Sequence, residues 1–164
     1  MSAVKNKPKK ATPASAILSI NFGLREVKSL EFELTEEGKY LKPGLGIEHY
    51  EYRFDVASVI LDKEKVMNVL LTTTILQKKG DTLRTELGHL KMLASFNLIN
   101  LTEITIKQRE QRGVPEQVYV LTYGITVSSA RGMMAVHLEG TNLTNAVIPI
   151  IDPNILVSKL DRVK

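Results

Sequence analysis

The sequence predicts an α+β fold. We expect a four-stranded antiparallel sheet of Greek-key-like order, with a long crossover loop, and one long helix and a short C-terminal helix packed on one face. Three observations predict it. Residues 50–56 alternate strictly, with Tyr50, Tyr52, Phe54 and Val56 on one side and Glu51, Arg53 and Asp55 on the other. A strand with one greasy and one wet face belongs to a half-covered antiparallel sheet. Two polar turns, 61–65 and 78–81, join this strand to two further β-prone runs, 66–76 and 82–98. Residues 115–140 then continue for roughly 25 positions without a turn signal, longer than a strand ordinarily runs.

The elements follow in chain order. Residues 17–34 are apolar and then alternating: Val27, Leu30 and Phe32 interleave with Lys28, Glu31 and Glu33, and Ser29 breaks the phase. This reads as one or two extended segments closed by Glu36-Glu37-Gly38. Residues 39–49 form a crossover loop with Pro43, Gly44 and Gly46, and carry Tyr40, Leu41, Leu45 and Ile47, four apolar residues that a loop exposes only when they dock on something. In 82–98 the alternation slips near Gly88, the pattern of a bulge. Residues 102–113 are polar and read as a linker or a strand-to-helix excursion. The 115–140 segment is ambiguous, because Val118, Val120, Thr122, Ile125, Thr126 and Val127 are β-branched. Pro115-Glu116 as a start and Gly140 as a stop favour a helix. Residues 142–153 are an apolar loop, and Pro153-Asn154 opens a short terminal helix over 155–163.

On that long helix Gly124, Ser128 and Gly132 recur every four residues, which places three very small side chains on one stripe. Such a stripe admits another backbone at close range, so the segment reads as packing surface. Arg131 lies beside it, as an interfacial ion-pair partner or a plain surface charge.

The chain has 164 residues, enough for one cored domain over 16–164. It lacks Trp and Cys, so aliphatics fill the core, and disulfides, thiolate catalysis and cysteine metal sites are excluded. Lys5, Lys7, Lys9 and Lys10 concentrate the net charge of +4 in a tail over 1–15, and the remainder balances. The tail reads as a disordered, solubilising end, and nucleic-acid binding is the disfavoured alternative. No run is long enough for a membrane span, and no secretory signal pattern is present.

Chemistry is scarce. Neither G-x-x-x-x-G-K-[ST] nor G-x-G-x-x-G occurs, so no nucleotide cofactor is expected. His49, His89 and His137 lack a second ligand at metal spacing, so no metal is expected. Ser128-Ser129 lacks the glycines of a nucleophile elbow. No catalytic residue is assigned, and the protein is expected not to be an enzyme. What remains is surplus apolar surface on 39–49, on 147–151 and on the terminal helix through Ile155 and Leu156. Surfaces of this kind mark partners: either an oligomer interface only, or a groove for extended apolar polypeptide.

Residues 17 to about 157 resemble the SecB-like chaperone family. The specific elements are Ser129-Ala130-Arg131-Gly132, Gly140-Thr141 and the loop Pro149-Ile150-Ile151-Asp152-Pro153, after a first strand with Leu30-Glu31-Phe32-Glu33. The resemblance implies a cytoplasmic homotetramer, a dimer of dimers with the long helices central and the sheets outside, joined through Gly124, Ser128, Gly132 and Arg131. It implies an ATP-independent holdase for non-native polypeptide, serving protein export or protecting an antitoxin or another client. Tyr40, Leu41, Leu45, Ile47, Val147, Ile148, Ile150, Ile155 and Leu156 would touch the client. Glu33 and Glu86 match positions that contact a SecA-like motor. Export members are strongly acidic, however, whereas this body is neutral, and Ser29 stands where a further acid is expected. A SecA-like motor and a toxin–antitoxin system therefore both stay open as partners, as does an assembly adaptor without a client.

Overall fold

A computed structural model describes residues 19–80, 82–104, 106–108 and 111–160. The basic tail, the start of the first expected strand, Asp81 of the second turn and the last residues of the expected terminal helix lie outside the described residues.

Four strands form the main sheet: β1 (Phe22–Leu34), β2 (Tyr50–Leu61), β3 (Val66–Lys79) and β4 (Leu83–Leu98). All neighbours are antiparallel, in the order β1-β4-β3-β2, so the first strand lies beside the last, as a Greek key requires. The phase break at Ser29 is a bulge. The β1–β4 register shifts between Ser29 and Glu31, and Leu30 stands half exposed while Val27 and Phe32 pack on the core. The slip near Gly88 is likewise a bulge, because Ile75 pairs with Gly88 but Leu76 pairs with Glu86.

Alternation divides the sheet into two faces. Met67, Val69, Leu71 and Ile75 of β3 and Leu90, Met92, Ala94, Phe96 and Leu98 of β4 are fully enclosed on the inner face. Helix α3 (Glu116–Leu138) covers them, packing on β3, β4 and β1. Its buried row is Val118, Thr122, Thr126, Ala130, Met134 and Leu138, one residue every four. This row settles the ambiguity of the segment. A stripe at helical spacing against an apolar sheet outweighs the weak β preference of its residues. The threonines fit because their hydroxyls turn back on the helix: Thr122 donates to the Val118 carbonyl at 2.8 Å, and Thr126 to the Thr122 carbonyl at 2.7 Å.

One expectation is revised. The polar stretch 102–113 is more than a linker, since it holds the short helix α2 (Leu101–Ile104) and a hairpin of β5 (Ile106–Gln108) with β6 (Gln111–Gly113). Leu101 and Ile104 anchor that turn in the core, a signal too short for periodicity to register. The terminal helix, α4 (Asn154–Leu160), packs on α3. One further helical turn, α1 (Glu36–Lys39), is absent from the expectations and opens the crossover after β1.

Candidate functional site

The crossover opens with that turn, Glu36–Lys39. Thr35 caps it, its hydroxyl accepting from the Gly38 N–H at 3.2 Å and donating to the Glu86 carbonyl at 2.9 Å, while the Thr35 N–H donates to the Leu87 carbonyl at 3.0 Å. Gly38 lies so close to the Leu87 backbone that no Cβ fits there. The β4 bulge is therefore the seat of the crossover.

Two asparagines tie the crossover to the loop that follows α3. Asn142 donates its amide to the Lys39 carbonyl at 3.1 Å, and Asn145 to the Leu45 carbonyl at 3.5 Å. Asn142 and Asn100 both begin glycosylation-type triplets, and both are engaged in the fold: Asn100 accepts from the Asn21 N–H and donates to the Ser19 carbonyl. Leu143, Ala146 and Ile148 fasten the 141–153 loop to the core from beneath.

Between these two loops and the start of β2 lies an open groove of about 290 Å³. Its lining is Ile47, Tyr50, Glu51, Tyr52, Phe54, Val147, Pro149 and Ile151. Of the lining, Ile47 is 58% exposed and Val147 37%; elsewhere on the two loops and the terminal helix, Tyr40 is 80% exposed, Ile150 87% and Ile155 56%. Four of these, all but Ile155, stand in water on the two loops that the Asn142 and Asn145 side chains tie together. Leu41 and Leu45 are half-buried against the core. Ile148 and Leu156 require correction: both are enclosed, Ile148 because it anchors the loop and Leu156 because it faces the core from α4. They support the groove without reaching a ligand. Tyr50, Tyr52, Phe54, Pro149 and Ile151 were not assigned to a site from sequence. Three of the chain's Phe and Tyr residues, crowded at 50–54 directly after a greasy loop, were the available signal.

Glu51 forms the groove's polar edge. Arg84 hydrogen-bonds it from β4, and this contact, with Lys78 nearby, holds the carboxyl below the ordinary carboxylate range. Burial pushes the phenols of Tyr50 and Tyr52 up, and likewise those of Tyr119 and Tyr123. A pKa raised in the folded state gives stability that is complete below the unfolded value near 10 and is lost as pH rises above it. The melting temperature should therefore hold to about pH 10 and fall from there to about pH 11.5, and Tyr52→Phe should flatten that fall. An unchanged slope in the variant would contradict the assignment.

The expected interface residues Gly124, Ser128, Gly132 and Arg131 share the face of α3 turned away from the sheet. Gly124 is already approached by its own chain, since a Cβ there would meet Pro153 at 3.2 Å, whereas Gly132 is open. Ser128 and Ser129 donate to the Gly124 and Ile125 carbonyls. Together with Val120, Leu121 and Pro153 these residues line a second, shallower apolar cleft.

Glu33 and Glu86 stand exposed on the outer face of the sheet. His89 pairs with Glu33 across β1 and β4, and lies 3.6 Å from both Glu31 and Glu86. Glu31, Glu33 and His89 bring their ligand atoms within 4.8 Å of one another, a cross-strand grouping that linear spacing does not reveal. Ser29 faces inward, 3.3 Å from His137, whose ring stacks on Phe32 at 4.5 Å. His137 is therefore a helix end packed against β1.

The fold and groove define an α+β protein with an open, largely apolar groove. No family model matches the chain, and no curated protein matches it. Among solved structures, the chain is similar to a Mycobacterium tuberculosis SecB-like chaperone in complex with a ChAD peptide from the HigA1 antitoxin. The identity is 9%, the match covers 79% of this chain and 90% of that one, and the TM-score is 0.49. No helix among the described residues is long and apolar enough to cross a membrane.

Proposed function

We propose that this protein is an ATP-independent holdase that captures extended apolar segments of non-native polypeptide in the groove between the crossover and the 141–153 loop. The observation that supports this most is the exposure of Ile47 and Val147 on a groove that Tyr50, Tyr52 and Phe54 also line, with exposed Ile150 between its lining residues Pro149 and Ile151. Burying a large aliphatic side chain contributes about 1.5–3 kcal/mol, so a folded monomer gains by covering these residues with something else. Apolar burial is non-directional and suits many client sequences. The resemblance of the sequence to SecB-like chaperones points the same way and adds a tetrameric assembly, a cytoplasmic setting, and export or antitoxin protection as the service performed.

An aggregating unfolded client mixed with the protein tests the reading by light scattering. Suppression at stoichiometric ratio is expected, and none at tenfold excess would reject it. Substituting serine for Ile47, Val147 and Ile150 together should weaken capture at least tenfold while moving the melting temperature little, because exposed side chains contribute little to stability. Equal capture by wild type and variant would place the client elsewhere.

A second reading has its own support. The far face of α3 exposes Leu121 and Val136 beside Gly124, Ser128 and Gly132, and a helix apolar on both faces is ordinarily covered on both. We assign that face to association between copies through Gly132 and Arg131. A stable oligomer that binds neither hydrophobic dye nor client would make the protein an assembly adaptor instead.

A further inference from the structure

Three buried side-chain oxygens have no hydrogen-bond partner among the described residues: the hydroxyls of Tyr50, Tyr52 and Thr73. They are not scattered. Tyr50 and Tyr52 are alternate residues on one face of β2, Phe54 is the next in that row, and Thr73 pairs with Phe54 across β3. All three therefore belong to one corner of the sheet, and both tyrosines line the groove. Buried hydroxyls elsewhere are satisfied. Tyr123 meets Ser58 at 2.9 Å, and Thr122 and Thr126 bond into their own helix. Native folds rarely leave such groups unpaired, and a cluster of exceptions calls for a missing partner. The Tyr50 and Tyr52 hydroxyl oxygens are themselves buried, so water outside the groove does not supply one.

The chemistry of that partner follows. Burial raises both phenols above their ordinary pKa, so each stays an O–H and needs an acceptor. Alternate residues on a strand are spaced about 6.6–6.8 Å apart, which is also the repeat of same-side carbonyls along an extended chain. Apart from Glu51 the lining is apolar, so it offers the phenols little competition.

We propose that the Tyr50 and Tyr52 hydroxyls donate to alternate main-chain carbonyl oxygens of an extended client segment once that segment displaces Val147, Pro149 and Ile151 from above them. This rests on the capture reading and deepens it. The groove recognises an extended backbone, which every polypeptide offers, with apolar side chains supplying the rest of the affinity.

The test uses a fluorescently labelled peptide of Leu, Val, Ala and Lys, whose side chains accept no hydrogen bonds, with Tyr50→Phe, Tyr52→Phe and the double variant. Each lost hydroxyl should weaken binding about two- to tenfold, and the double variant more. The melting temperature of the free variants should hold or rise, because the free protein loses only unpaired groups. Ester replacement of alternate peptide bonds, which weakens the carbonyl acceptors, should cost affinity in the wild type and much less in the double variant. Undiminished affinity in the double variant, with wild-type binding intact, overturns this proposal and leaves capture standing. A lowered melting temperature also overturns it, since the hydroxyls would then be partnered in the free protein. Failure of the wild type to bind any apolar peptide or suppress aggregation removes the capture reading, and this proposal with it.

Discussion

Phe96→Ala is expected to lower the unfolding free energy by about 3–5 kcal/mol. Phe96 is fully enclosed on the inner face near the end of β4, opposite Met67 on β3 and Leu24 on β1, with the ring of Phe22 edge-on at 6.1 Å. Removing the ring leaves a cavity where three strands meet, and α3 is held by packing on β3, β4 and β1 together, so the sheet cannot collapse locally onto it. Denaturant unfolding followed by far-UV circular dichroism measures the loss. A cost below about 1 kcal/mol would mean that this part of the core is not packed as described.

Gly38→Ala should cost about 1–3 kcal/mol, the range for forcing atoms into a filled site, and should also reduce client capture. A Cβ at this position overlaps the Leu87 carbonyl, which is backbone and cannot swing aside. The turn must lift from the β4 bulge, giving up the Thr35 hydrogen bonds to Glu86 and Leu87. The crossover then loses its seat at one end, and the wall that carries Ile47 shifts relative to Val147. Stability and capture measured on one preparation separate this from a plain core defect. Gly38→Ala should lose more capture than Phe96→Ala does at a temperature where both remain folded, and the opposite ranking would contradict the role given to the turn.

Much of the architecture was legible because it rests on periodicity. Tyr50-Glu51-Tyr52-Arg53-Phe54 alternates, and the structure buries Tyr50 and Phe54 while exposing Arg53. Ser29 and Gly88 disturb the alternation, and both positions are bulges. Residues 102–113 were less legible. Two apolar anchors, Leu101 and Ile104, are too few to show a period, and the hairpin that follows is almost wholly polar. The groove was half legible. An apolar residue on a loop can face water or the core, and composition does not distinguish Ile150, which is exposed, from Ile148, which anchors the loop. The tyrosine floor was assigned to the core because burial on a strand face is the common fate of alternating aromatics. Only the meeting of two distant loops over that face turns it into a site.

The central claim is that client polypeptide lies along the groove between the crossover and the 141–153 loop. Photocrosslinking tests it most directly: a benzophenone side chain placed singly at position 47, 150 or 57, with an unfolded client, followed by mass mapping of the adducts. Ile47 and Ile150 flank the groove, whereas Ala57 is exposed on the outer face of the sheet. Adducts from 47 and 150, with little from 57, are the predicted result. Strong labelling from 57, or none from 47 and 150 while aggregation is still suppressed, would contradict it.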